Sequence, residues 1–178
     1  MTTPHLPPLQ AQARADTPLG PIVLAATPHG LAGLWFDGQA HHPGPLTAPE
    51  DPSQPVIAQA LAALEAYWRG GGAGLAPPID AHGTPFQQRV WRALRDIDAG
   101  RTTTYGALAT ALGCPSAARA VAAAVGRNPV SILVPCHRVV GHDGALRGYA
   151  GGVARKRALL ALEAASTSRG IALAPGAA

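Results

Sequence analysis

Hydrophobic residues in this 178-residue chain fall into short runs and helical stripes, never into one long span. Residues 20–27 (GPIVLAAT) and 30–37 (GLAGLWFD) are apolar runs parted by Pro28 and His29, and read as two strands of a hairpin-like sheet. A Pro-, His- and Gly-rich loop follows, from about residue 38 to 52. In SQPVIAQALAALEAYWRG, Val56, Ala60, Leu61, Leu64 and Trp68 recur at helical spacing, and the glycines at 70–72 close the pattern. GGGAGLAPPIDAHG is the best linker. It divides the chain into an N-terminal α/β domain (1–80), a second domain (81–165) and a flexible tail (166–178).

The second part opens on a clear helix start. Thr84 is a good N-cap, Pro85 suits the first helical position, and Gln87 completes a capping box. Phe86, Val90, Leu94 and Ile97 make one apolar face, with Arg89, Arg92 and Arg95 pointing elsewhere. TYGALATALG reads as a short helix ended by Gly113, and SAARAVAAAVGRN as another with Ser116 as N-cap. Two short helices across a tight turn suggest helix-turn-helix. RVVGHDGALRGY carries the Asp143-Gly144 hairpin signal, a wing in such a module. VARKRALLALEAA reads as a closing helix.

Composition narrows the function classes. Hydrophobic content of 47% with 13% charged residues excludes a disordered chain, and 21 Gly and 18 Pro without a period exclude collagen. Arg or Gly breaks every apolar run before it could span a membrane. The start lacks a secretory pattern, and two cysteines, Cys114 and Cys136, make neither a disulfide scaffold nor a zinc pattern. A reducing, cytoplasmic setting is the default expectation. Charge is split: through His82 two basic residues face six acidic ones, net −4, and from Gly83 onward twelve face four, net +8. The second part therefore suits a polyanion. Thirteen of the fourteen basic residues are Arg, which forks onto phosphates, although coding composition also enriches Arg.

The helix at 116–128 offers few groups for reading base edges, because Ala117, Ala118, Ala120, Ala122, Ala123 and Ala124 dominate it. Either these alanines pack inside a bundle, or they form a smooth surface that lets backbone approach DNA closely, with Arg119 as the one long polar group. The chemistry lies in SILVPCHRVVG. Cys136 ends an apolar run beside His137 and Arg138, an electropositive setting expected to lower the thiol pKa. The plainer alternative is a small buried core residue, as most free cysteines are. Adjacent residues diverge, so His137 is expected to act on the thiol through a water, with Glu163 on the last helix available to orient it or else simply at the surface. Cys114 has no neighbouring His and reads as structural.

GTPFQQRVW…TTTYGALATALG…AARAV…GRNP…PCHRVVG…GYAGG…KRALLALE resembles the methylated-DNA–protein-cysteine methyltransferases, or O6-alkylguanine-DNA alkyltransferases, from about Gly83 to Glu163. The resemblance implies a ribonuclease H-like N-terminal domain, then a helical, winged-helix-like C-terminal domain that enters the minor groove and flips a guanine into a pocket. It makes Cys136 the alkyl acceptor, His137 its base through water, Glu163 the partner of His137, and Tyr105 an aid to protonating the leaving base. Arg119 takes the place of the flipped nucleotide beside Ala118, and Asn128 ties the active-site turn to the recognition helix. Cys136, Val139, Tyr149 and Ala150, with Arg138 and Gly151 beside them, belong to the substrate pocket. The implied partner is double-stranded DNA containing O6-alkylguanine or O4-alkylthymine. The implied protein is a monomer that uses no cofactor and no metal and acts once, because a thioether offers no easy route back to the thiol.

Ala150 stands where some relatives carry Ser, leaving only a backbone N–H, and with Gly148 it makes a smaller pocket wall. Tolerance of alkyl groups larger than methyl is therefore expected. The N-terminal part has no cysteine for the structural zinc of some relatives. A non-catalytic protein that binds alkyl lesions to flag them is the nearest competing reading, and such relatives typically lack the cysteine retained here. A winged-helix transcription factor is opposed by the alanine-rich helix, and a cysteine hydrolase by the Cys-His doublet.

Overall fold

The computed structural model describes residues 7–70 and 76–172. The core of the glycine linker, 71–75, and the last residues, 173–178, lie outside them. The fold is mixed α/β. Strands β1 (Ala11–Ala15), β2 (Ile22–Thr27) and β3 (Gly30–Phe36) form an antiparallel sheet in that order. Every residue of β2 and β3 is buried, so both sheet faces are covered, which is why these strands read as unbroken apolar runs. Gly33 is obligatory because the Trp35 indole lies over it: a Cβ there would stand 1.7 Å from the ring. The sequence pattern does not predict β1. Its inward residues are only Ala11 and Ala13, a faint signal in residues of low strand propensity.

Helix α1 (Pro55–Trp68) covers the sheet, with Gln54 accepting from the Ile57 N–H at 3.0 Å as its cap. Its buried face is Ile57, Ala60, Ala63, Leu64 and Tyr67, with Trp68 half-buried against the same core. The outer edge of β3 is closed by backbone from two distant segments. Leu31 exchanges hydrogen bonds with Pro78 and Asp80 (2.8 and 2.9 Å), and Leu34 with Pro129 and Ser131 (both 2.9 Å). An edge that would otherwise present unpaired groups thus becomes the anchor for the segment leading to Cys136. One continuous hydrophobic core runs from Leu24, Leu34 and Phe36 to Val90, Leu94, Val121 and Leu159.

Helix α2 (Pro85–Leu94) begins with the expected capping box, Thr84 and Gln87 bonding reciprocally at 3.2 and 2.9 Å. Val90, Trp91 and Leu94 are buried, whereas Phe86 and Ile97 are only half-buried, Ile97 lying past the helix end. The Trp91 indole N–H donates to the Ala124 carbonyl at 2.8 Å and pins α2 to α4. A two-residue strand, β4 (Thr103–Thr104), precedes α3 (Tyr105–Ala111), which Gly113 ends at φ +73°. Helix α4 (Ala118–Gly126) then begins after a 3-10 turn, Pro115–Ala117. Ser116 lies within that turn and caps nothing.

The expected wing is not a β-hairpin. Strand β5 (Val139–Val140) pairs in parallel with β4, and the Asp143-Gly144 turn closes through Gly141 and Ala145 without a return strand. Its partner strand comes from before α3, because residues 145–152 leave β5 for the start of α5 (Val153–Ala172). That helix continues past Ser166, where fraying is expected from sequence, and the Ser166 and Thr167 hydroxyls donate to the Leu162 and Glu163 carbonyls at 2.9 and 3.0 Å. Thr84→Ala, which removes one half of the capping box, is expected to cost about 1 kcal/mol, read as a lower urea midpoint with an unchanged slope.

Candidate active site

Pro135 ends the buried SILV segment and starts a single 3-10 turn, Cys136–Arg138. Within one turn successive side chains point in different directions, and the structure separates this triplet accordingly. Cys136 lines a cavity of about 410 Å³ while remaining only 4% exposed. His137 and Arg138 point instead to Glu163 on α5. Tyr105, Tyr149 and Ala150 share the cavity wall with Cys136. Val139, Arg138, Gly151, Ala118 and Arg119 do not line it. Gly151 lies behind, where a Cβ would meet the Tyr149 ring at 2.7 Å and Phe36 of β3 at 3.1 Å.

Asn128 holds the turn. Its side-chain N–H groups donate to the Val130 and Val134 carbonyls (3.1 and 2.8 Å) and to Cys136 Sγ (3.1 Å), and its oxygen accepts from the Val130 N–H (3.0 Å). It stands just past the end of α4, so it ties that helix directly to the sulfur. Ile132, inside the segment so held, adopts φ +69°, a conformation that a β-branched residue takes only under constraint. The Tyr105 hydroxyl donates to the Arg147 carbonyl at 3.2 Å.

Glu163 is buried and heavily paired. Its Oε1 accepts from His137 Nε2 (2.7 Å), the Tyr67 hydroxyl (2.9 Å) and Arg138 Nη2 (2.9 Å), and its Oε2 from Arg138 Nε (3.0 Å) and the Gly100 N–H (3.1 Å). Burial alone would raise its pKa, but the hydrogen bonds and charges of His137 and Arg138 bring it down to about 2. His137 is fully buried, and that burial lowers its pKa despite the opposing pull of Glu163, so the ring is neutral at physiological pH. With Nε2 committed to Glu163, Nδ1 is the nitrogen left to accept a proton, and it has no partner among the described residues.

The cysteine corrects one expectation. Burial raises the thiol pKa; the Asn128 hydrogen bond and the charge of Lys156 oppose this but do not overcome it. Arg138, the sequence neighbour expected to activate the sulfur, is spent on Glu163. The cation that does act on it is Lys156, the only lysine in the chain, which is buried and donates to the Val139, Arg147 and Gly148 carbonyls at 2.6, 3.2 and 3.4 Å. Sequence reasoning missed Lys156 and Tyr67. A lone lysine in an arginine-rich chain was the available signal for the first, and a tyrosine at the core-facing end of α1 for the second. It also missed Ala40 and His41, which bring the N-terminal loop to the cavity, where the Ala40 N–H donates to the Ala150 carbonyl at 2.9 Å.

The surface next to the cavity is a small-residue face on α4. Ala122, Val125 and Gly126 line the cavity, Ala120 and Ala123 are exposed, and Ala124 is buried, so the alanines divide between packing and a smooth outer surface. Arg119 and Arg127 project from the same helix into solvent. No helix among the described residues is long and apolar enough to cross a membrane.

Comparisons with known proteins bear on the family and the fold. The family model described as "6-O-methylguanine DNA methyltransferase, DNA binding domain" matches residues 85–165. The methylated-DNA–protein-cysteine methyltransferase of Mycobacterium tuberculosis is 45% identical over 148 residues, 83% of this chain and 88% of the relative. That of Haemophilus influenzae is 39% identical over 148 residues, 83% and 82% of the two chains. The crystal structure of Mycobacterium tuberculosis OGT in complex with DNA superimposes with a TM-score of 0.79 at 42% identity, covering 88% of this chain and 94% of that one. With 45% identity spread over most of both chains, this protein belongs to the methylated-DNA–protein-cysteine methyltransferase family.

Proposed function

We propose that this protein repairs DNA by moving the alkyl group of O6-alkylguanine, and of O4-alkylthymine, irreversibly onto its own Cys136. The observation that carries this reading is a buried, cavity-lining cysteine backed by a neutral histidine whose other nitrogen is held by a carboxylate. The Cys136 sulfur attacks the alkyl carbon in line with the C–O6 bond; a C–S bond forms and the C–O6 electrons return to the base. The thiol proton leaves to His137 Nδ1 through a water, and the departing guanine gains a proton with help from Tyr105. Cys136 ends as a thioether, and each molecule acts once. A thiol whose resting pKa is raised needs that base. Neither metal nor cofactor enters these steps.

The second half is read as a winged-helix-like DNA-binding domain over 81–165, and 1–80 as a ribonuclease H-like domain packed behind it. The exposed arginines Arg89, Arg92, Arg95, Arg119 and Arg127 suit contact with phosphates, and the alanine face of α4 beginning at Ala118 suits close approach to a groove. Arg119 fills the gap left by the flipped nucleotide. Tyr149 and Ala150 surround the base, Val139, Gly151 and Arg138 support them from behind, and the cavity volume leaves room for an alkyl group larger than methyl.

Incubation with a duplex carrying one O6-methylguanine should add a single methyl to the intact protein, mapped to Cys136 and absent in Cys136→Ala. Tight lesion binding with no mass change would instead support the damage-flagging reading. The burial-lowered pKa of His137 sets the pH dependence: the base is lost only as pH falls through a value below the ordinary 6.5. The acid limb of the single-turnover rate should therefore have its midpoint below pH 6.5, with the plateau on its alkaline side. Arg119→Ala should slow transfer from duplex DNA roughly tenfold or more, through lost stabilisation of the flipped state, while reaction with free O6-benzylguanine changes less than twofold.

A further inference from the structure

Glu163 Oε1 is shared. The nitrogen of His137 and the phenol of Tyr67 reach the same oxygen at 2.7 and 2.9 Å, the first from the cysteine turn and the second from the last turn of α1. Tyr67 is 3% exposed, and its hydroxyl is directed at Glu163. Burial, followed by the adjacent carboxylate, pushes its pKa far up, so it is a permanent donor. We propose that Tyr67 is a positioning residue of the alkyl-transfer site, which sets the basicity of His137 by donating to the carboxylate oxygen that His137 uses.

The inference rests on the alkyltransferase reading, and the chemistry is direct. A carboxylate offers about four lone-pair sites, and here Tyr67, His137, Gly100 and the two N–H groups of Arg138 compete for them. Each further donor withdraws charge from Oε1 and weakens its hold on the imidazolium form of His137. Without the Tyr67 donor, Glu163 stabilises imidazolium more, and His137 stays protonated to higher pH. The other groups around the pair are fixed: Arg138 on the same turn, Lys156 on α5, Cys136, and the Tyr149 ring edge-on to His137 at 6.5 Å. The segment before β4 contributes the Gly100 N–H to Glu163 and the Ile97 carbonyl to Arg138. A tyrosine that merely satisfied itself in the core would leave the proton affinity of His137 untouched.

The test is the pH profile of single-turnover methyl transfer from an O6-methylguanine duplex, paired with the ring-nitrogen NMR titration of His137 in the free protein. Tyr67→Phe should move the acid limb and the His137 titration upward by about half a pH unit, about a threefold loss of rate on that limb, with the plateau rate within twofold. Site-specific 3-fluorotyrosine at position 67, a stronger donor of nearly the same size, should move both downward, and it carries the test if the Phe variant does not fold. Limbs and titrations that stay in place in both proteins, or a uniform fall in rate without a shift, would overturn the proposal. Failure of the wild-type protein to transfer methyl would overturn the alkyltransferase reading itself, and that result is read without either variant.

Discussion

A carboxylate taken out of water must be paired on nearly every lone pair, and Glu163 is where this fold meets that requirement. Its donors are four residues from three places: Tyr67, 96 residues earlier on α1; Gly100, 63 residues earlier in a turn; and His137 and Arg138, 26 and 25 residues earlier on the 3-10 turn. None of these contacts is local. The helix that brings Glu163 also brings Lys156 beneath β5 and the residues after the Asp143-Gly144 turn, so α5 organises the reactive turn from both sides. Arg138, which looks like an activator of the cysteine, balances the charge of Glu163 instead.

The sulfur is consequently kept in its neutral form by burial and placed by Asn128. In the proposed mechanism its reactivity depends on a base that is itself neutral and oriented, not on a standing thiolate. This arrangement suits a residue that can be used only once. A permanently ionised cysteine would be open to adventitious alkylation and oxidation, whereas a buried thiol beside a neutral imidazole reacts when a substrate occupies the cavity.

Legibility in the sequence followed the range of the interaction concerned. The Thr84 capping box, the Gly113 helix stop and the apolar strands 22–27 and 30–36 depend on residues a few positions apart, and each stands where the pattern puts it. Strand β1 escaped notice because alanine alternation is nearly silent. The wing misread had a different cause: the Asp143-Gly144 signal specifies a turn but says nothing of which strand pairs with β5. In the site, Cys136, His137 and Glu163 could be singled out by residue type and resemblance. The raised thiol pKa could not, because it depends on burial and on Arg138 turning away. Tyr67 and Lys156 act through contacts that no spacing rule connects.

Pro129 and Ser131 dock on Leu34 through two backbone hydrogen bonds, and the Ser131 hydroxyl adds one to the Gln39 side chain at 3.1 Å. Peptide groups are the same whatever side chain they carry, so the strand pairing itself places little demand on residue identity. The buried strands β2 and β3 can therefore exchange one apolar side chain for another of similar volume while still holding the reactive segment in register. Three positions of the N-terminal half are tied more closely: Gly33 under its indole, Phe36 against Gly151 and under the Arg155 guanidinium at 4.6 Å, and Tyr67 of α1 at the carboxylate. A scaffold of this kind can drift far in sequence without disturbing the chemistry it supports.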